Sequence, residues 1–293
     1  MYDIIIIGAG PAGISAGIYA RRAGANVLIL YYGESNLEKA SKIDNYYGFK
    51  EGISGKELYQ EGIEQAKNLG IEVENEEVVN IQKQDEGFNV NTVSQIYKSK
   101  VVIIATGNKK LRPNIKGIAE YEGKGISYCA ICDGFFYRNK NVVVIGEGKF
   151  ALSEAEELKR IVNSVTILTN GKEIKHNDYY EINTKKIKEI HGDMKVRQIE
   201  FEDGSKMDID GIFIANGQAG GSDFAKKIGV VIQKDSIIVD ENMQTNVEGL
   251  YSCGNSTGGL LQVCKAVYEG AKAGIAATNY IRQQDKQCDA SNK

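Results

Sequence analysis

Cys129 and Cys132 stand two residues apart in the run Cys129-Ala130-Ile131-Cys132-Asp133-Gly134. Two thiols at this spacing can close a small, strained ring, and such disulfides exchange readily with external thiols. The sequence holds no second pair at zinc-site spacing. The pair therefore reads as redox-active rather than as half a metal site or two inert buried thiols. Asp133, directly behind it, could pass a proton to a thiolate or simply cap a turn.

The second set of chemistry-bearing residues is Gly8, Gly10 and Gly13, which follow the apolar run Ile4-Ile5-Ile6-Ile7 and enclose Pro11 and Ala12. A β-branched run, a glycine turn and then a helical pattern make a dinucleotide cradle. The first glycine permits the tight bend, the second lets backbone approach a pyrophosphate, and the third lets helix pack on strand. The helix N-terminus then faces the phosphates. Such cradles use an acid after the second strand to hold the ribose. Glu34, 21 residues past Gly13, is the candidate here.

The elements that position these groups come from a repeat. Ile4 to Gly13 recurs as Val142-Val143-Val144-Ile145-Gly146-Glu147-Gly148-Lys149-Phe150-Ala151. Each copy predicts a buried parallel strand and then a helix, over Ile14–Ala23 and Leu152–Val162. Second strands follow at Val27–Leu30 and Val165–Leu168. Further strands are expected around Ile71–Val78, Phe88–Val93 and Val101–Ala105. Lys109–Gly117, polar and containing one of only two prolines, reads as a linker. A long Ala/Gly-rich helix is expected over Leu261–Ile281, with a polar, disordered tail from Arg282. The expected architecture is α/β, with two Rossmann-like three-layer domains. The first is discontinuous, over 1–114 and 244–293, and the second spans 115–243 and carries the Cys129/Cys132 pair.

Composition narrows the function class. In 293 residues, 36 Lys and Arg against 39 Asp and Glu leave a net charge of −3. No global field then draws the chain to nucleic acid or anionic membrane. The run Ile4–Ile7 is too short for a signal-peptide core or a membrane span. Five cysteines, an odd number, point to a reducing cytoplasmic compartment rather than a disulfide framework. With only His176 and His191, both in lysine-rich stretches, histidine triads and histidine-rich metal sites lack material. Cys253 and Cys264 are expected to pack as small apolar side chains. Cys288 is expected to be an exposed thiol.

The stretch Cys129-Ala130-Ile131-Cys132-Asp133-Gly134-Phe135-Phe136 resembles the active-site segment of the low-molecular-weight flavoprotein thioredoxin reductases. The resemblance extends through Gly8–Gly13, Ile43-Asp44-Asn45-Tyr46-Tyr47-Gly48-Phe49, Ala105-Thr106-Gly107 and the closing Gly254–Gly274 region, nearly the whole chain. It implies FAD in the first unit, with Asn45, Ala105, Thr106, Gly107, Gln262 and Val263 around the flavin and Gly254-Asn255 near its ribityl chain. It further implies that Cys132 meets the flavin, Cys129 attacks the thioredoxin disulfide, Asp133 is the acid/base and the protein is a homodimer. The family usually has Asp where this chain has Asn255.

The second unit departs from the family, which binds NADPH there. A 2′-phosphate needs cationic donors just past the second strand, and Leu168 is followed by Thr169-Asn170-Gly171. Glu147 places a negative charge in the phosphate turn, and Phe150 is expected to crowd the approach. Lys149, Lys159 and Lys172 are the residues from which an atypical site would have to be built. The chain is most similar to the pyridine-nucleotide-independent branch that takes electrons from reduced ferredoxin, and Lys109, Lys110, Arg112 and Lys116 form the obvious basic run for an acidic donor. The alternatives are an NADPH-dependent thioredoxin reductase with an unusual site and a flavin redox sensor that does not turn over.

Overall fold

The fold was analysed on a computed structural model, which describes residues 1–107, 113–128, 130–173, 179–216, 221–233 and 236–291. The chain opens with β1 (Tyr2–Ile7), α1 (Pro11–Arg22), β2 (Val27–Tyr31), α2 (Gly55–Asn68), β3 (Glu72–Asn75), β4 (Val78–Lys83), β5 (Phe88–Thr92) and β6 (Ile96–Ile104). These strands form one sheet in the order β3-β2-β1-β6-β5-β4. It is parallel from β3 to β6 and antiparallel through β5 and β4. Ile4, Ile5, Ile6 and Leu28, Ile29, Leu30 are all fully buried, because helices and loops cover both faces of a parallel sheet.

The next stretch holds α3 (Ile118–Tyr121), β7 (Ile126–Ser127), α4 (Ala130–Asp133), β8 (Asn141–Ile145), α5 (Lys149–Lys159), β9 (Ser164–Leu168) and β10 (Glu181–Asn183). It continues with β11 (Ile187–Gly192), β12 (Val196–Phe201), β13 (Lys206–Asp208) and β14 (Gly211–Ile214). Its parallel sheet runs β10-β9-β8-β14-β7, with β11-β12-β13 as a separate antiparallel sheet. Val143, Ile145 and Ile212 face the core that includes β11 and β12, while Val142, Val144 and Phe213 face α5. This alternation is the period of two along a strand.

The chain then forms α6 (Gly221–Lys227), β15 (Ile232–Gln233), β16 (Ser236–Ile237), β17 (Leu250–Ser252) and α7 (Val263–Ser291). β17 joins the first sheet beside the C-terminal half of β6. Two compact units result, Met1–Lys109 with Gly220–Lys293, and Lys110–Ala219. The first is discontinuous, but the chain rejoins it at 220 rather than 244. The segment ahead of 244 is tied to the segment behind it. Val231 donates to the Asn246 side chain at 2.9 Å, which donates back to the Gly229 carbonyl at 2.9 Å, and Met243 packs in the first core.

Two local expectations are corrected. The helices begin earlier than the apolar periodicity suggests, at Pro11 and Lys149, each with a glycine as N-cap. The expected disordered tail is helical, since α7 continues through Arg282 to Ser291. Lys100 bonds Asp285 at 3.0 Å, and Arg282 donates to the Ala23 carbonyl at 2.6 Å, so the polar end of the helix is anchored along the first unit.

Candidate functional site

In the first cradle, Gly8 closes the strand by donating to the Leu30 carbonyl at 2.8 Å, and its φ of +110° is open only to glycine without strain. A Cβ on Gly13 would overlap the Gly8 carbonyl oxygen, so helix and turn touch backbone to backbone. Gly10 is the opposite case, with nothing within 4 Å of where a Cβ would stand. Gly10 caps α1 without a side-chain hydrogen bond, Pro11 takes a first-turn position, and the first turn carries no acid. The amides and dipole of this turn thus face an open approach, which suits a pyrophosphate. Ala12 lies buried against Gly254, whose added Cβ would come within 2.7 Å of it. Glu34 is exposed just past β2, directly ahead of the Ser35–Glu38 capping box.

Two distant segments close on this cradle. The loop carrying Asn45 is pinned at its neck, where Ile43 and Ile53 exchange backbone hydrogen bonds of 2.7 and 3.0 Å. Asn45 donates to the Gln262 side-chain oxygen at 3.0 Å across 217 residues of sequence. Val263, next in sequence, starts α7. Ala105 continues β6 by donating to the Ile7 carbonyl at 2.8 Å, and Ser256 donates to the Gly107 carbonyl at 3.2 Å. The turn Gly254–Thr257, which contains Asn255, is locked by a pair that sequence reasoning missed. Lys265 donates to the carbonyls of Gly254 and Gly258 at 2.7 and 2.6 Å, while Glu269 accepts from the Gly254 amide at 2.9 Å and pairs with Lys265 at 2.9 Å. Their spacing of four on one helix was the available signal.

In the second unit, Cys129 lies outside the described residues, and Cys132 falls within α4. Ser127 donates to the Asp133 carboxylate at 2.6 Å, and the Ala130 amide donates to the buried Glu154 carboxylate on α5 at 2.7 Å. Neither Ser127 nor Glu154 was singled out from sequence. Phe135 and Phe136 are 68% and 70% exposed, an unusual state for adjacent phenylalanines.

The profile of the pyridine nucleotide-disulphide oxidoreductase family matches residues 2–270. The chain is 31% identical to a thioredoxin reductase of Listeria innocua, over 99% of this chain and 97% of the relative. It is 33% identical to one of Aquifex aeolicus, over 98% and 95%. An atypical thioredoxin reductase from Desulfovibrio vulgaris Hildenborough shares 38% identity at a TM-score of 0.89, covering 97% of this chain and 99% of that one. A ferredoxin-flavin thioredoxin reductase from Clostridium acetobutylicum shares 33% at 0.70, covering 96% and 98%. The chain belongs to the thioredoxin reductase family. It is accordingly an FAD flavoprotein and a disulfide oxidoreductase, and the open, uncapped Gly10–Gly13 turn fits that cofactor.

The second glycine cradle of this thioredoxin reductase fold repeats the backbone of the first and changes the contents. Gly146 donates to the Leu168 carbonyl at 3.0 Å as Gly8 does to Leu30, and Ala215 donates to Ile145 at 2.9 Å as Ala105 does to Ile7. Glu147, in the turn, is ion-paired to Lys172. The loop after β9 bonds inward. Thr169 donates to the Lys172 carbonyl at 2.6 Å, and the Asn170 side chain accepts from the Ile187 amide at 2.7 Å. Lys159 donates to the Tyr179 carbonyl at 3.3 Å, and Lys149 is exposed. Phe150 does not crowd the approach as expected. It is 2% exposed and packs with Ala130, Val144 and Phe213 in the core.

Among the described residues no cluster of His, Cys, Asp and Glu could hold a metal, and no helix is long and apolar enough to cross a membrane. His176 lies outside the described residues, and His191 is 2.9 Å from Glu200. Cys253 is buried, and burial, reinforced by Glu269 and opposed by Lys265, pushes its thiol far above the ordinary range. Cys264 is exposed, contrary to expectation, because the helix turns it away from the face packed on α1. The side chain of Cys288 lies outside the described residues. Iodoacetamide applied to the folded protein, followed by peptide mass mapping, should label Cys264 and spare Cys253 until denaturant is added. Early labelling of Cys253 would contradict the burial.

Proposed function

We propose that this chain reduces thioredoxin with electrons from reduced ferredoxin, acting as a homodimer in a reducing cytoplasm. The observation that carries the choice of donor is the state of the second cradle. Glu147 sits in the turn where a pyrophosphate would approach, and Lys172 is already paired to it. Just past β9, the neutral Thr169 and Asn170 bond within the protein and supply no cationic clamp for a 2′-phosphate. Similarity to the ferredoxin-flavin enzyme supports the same reading.

FAD, held at Gly8, Gly10, Pro11, Ala12 and Gly13 with Asn45, Thr106, Gly107, Asn255 and Gln262 around it, would supply the capacity to take electrons singly and deliver them as a pair. The protein's own steps are thiol–disulfide exchange. Asp133 takes the proton of the Cys129 thiol, and the resulting thiolate attacks one sulfur of the thioredoxin disulfide, forming a mixed disulfide and expelling the other sulfur as thiolate, to which Asp133 passes that proton. Cys132 then attacks Cys129, closing the Cys129–Cys132 disulfide and releasing reduced thioredoxin. Ser127 holds the Asp133 carboxylate at 2.6 Å, and the exposed Phe135 and Phe136, two and three residues past Asp133 in sequence, offer apolar surface to a partner. Of the basic run suggested for ferredoxin, Lys109, Lys110 and Arg112 lie outside the described residues, and Lys116 pairs with Glu189 at 2.8 Å.

Anaerobic mixing with each donor tests the reading. NADPH should leave the flavin absorbance unchanged, whereas reduced ferredoxin should bleach it and sustain thioredoxin reduction. That turnover should fall as salt rises, since docking of an acidic partner is screened. Efficient turnover with NADPH alone would overturn the choice of donor.

A further inference from the structure

We propose that Glu154 is a positioning residue for the redox pair, anchoring Ala130 at the start of α4, the short helix that contains Cys132. The inference rests on the reading of Cys129 and Cys132 as that pair.

The apolar face of α5 is formed by Phe150, Ala151, Ala155 and Leu158, and Glu154 lies in the same buried stripe, 1% exposed. A carboxylate in such a stripe loses its hydration, a cost that persists only where a specific partner recovers it. The Ala130 amide is that partner: Glu154 Oε2 accepts from it at 2.7 Å, and Ala130 is itself fully buried. Ala130 opens α4, so the carboxyl group restrains the start of the helix that contains Cys132. At the other end of α4, Ser127 restrains Asp133. A short hydrogen bond between two buried groups is a strong restraint for a side chain to place on backbone.

The arrangement also gives the second unit a purpose that needs no nucleotide. Its glycine turn fixes the start of α5, and α5 presents Glu154 to the redox turn.

The test uses the FAD-loaded, full-length protein and three variants. The Cys129–Cys132 equilibrium is measured in dithiothreitol buffers by mass spectrometry, with hydrogen exchange at the Ala130 amide read in parallel. In Glu154→Ala, protection of that amide should fall by about tenfold or more, the dithiol–disulfide equilibrium should shift by about tenfold, and thioredoxin turnover should drop, with flavin content unchanged. Glu154→Gln keeps an acceptor oxygen at the same reach and should restore all three to within about threefold. Should the alanine variant fail to fold, Glu154→Asp, which keeps the charge and loses the reach, should behave as alanine is expected to. Wild-type exchange and equilibrium in Glu154→Ala or Glu154→Asp would overturn the proposal, as would a glutamine variant no better than alanine. A Cys129–Cys132 pair that never cycles in the unaltered protein would instead overturn the underlying reading, and this inference with it.

Discussion

Replacing either Cys129 or Cys132 with serine is expected to lower thioredoxin reduction by about 10⁴-fold or more, because a hydroxyl cannot form the sulfur–sulfur bond on which exchange depends. The two variants should differ in the flavin spectrum. Cys129→Ser leaves the Cys132 thiol, and a long-wavelength charge-transfer band with oxidised FAD is expected at pH values that form its thiolate. Cys132→Ser should show none. Reversed behaviour would exchange the roles of the two sulfurs. Loss of the band from both variants would remove Cys132 from the flavin, and undiminished turnover in either would dismiss the pair altogether.

The second large effect separates two glycines of the first turn. Gly13→Ala places a methyl group into the Gly8 carbonyl. Backbone cannot yield as a flexible side chain can, so the turn must open, at a cost of about 3 kcal/mol, the upper end for overpacking. Urea unfolding should show that loss, together with weak FAD retention. Gly10→Val meets no protein atom within 4 Å, and Gly10 has φ −71° and ψ −178°, which any residue can adopt. It should leave the fold stable to within about 1 kcal/mol, yet the purified protein should be colourless, since the side chain fills the approach left for the pyrophosphate. A yellow Gly10→Val protein would place the cofactor elsewhere.

Part of this molecule is written in short-range sequence. The glycine turns announce themselves because strand, bend and helix must follow one another within about ten residues for the cradle to exist. The repeat at Gly146 is legible for the same reason. It is borne out by the matching bonds from Gly8 to Leu30 and from Gly146 to Leu168. The spacing of Cys129 and Cys132 and the negative charge of Glu147 in its turn are likewise local facts. They carry the resemblance to the family and mark the second cradle as altered without reference to any tertiary contact.

Other features depend on which surfaces meet, and periodicity does not contain that information. Phe150 and Ala12 occupy corresponding positions in the two turns. Ala12 lies against Gly254, leaving no room for a larger side chain, while Phe150 has a pocket among Ala130, Val144 and Phe213 and turns inward. Sequence placed it in the turn, and packing decided its direction. Lys172 reached Glu147, and Asn45 reached Gln262, only because the fold brought separate loops together. Glu154 shows the same division within one helix. It stands one helical turn from Phe150 and Leu158 in sequence, and only the tertiary structure supplies the Ala130 amide that accounts for a buried carboxyl group there.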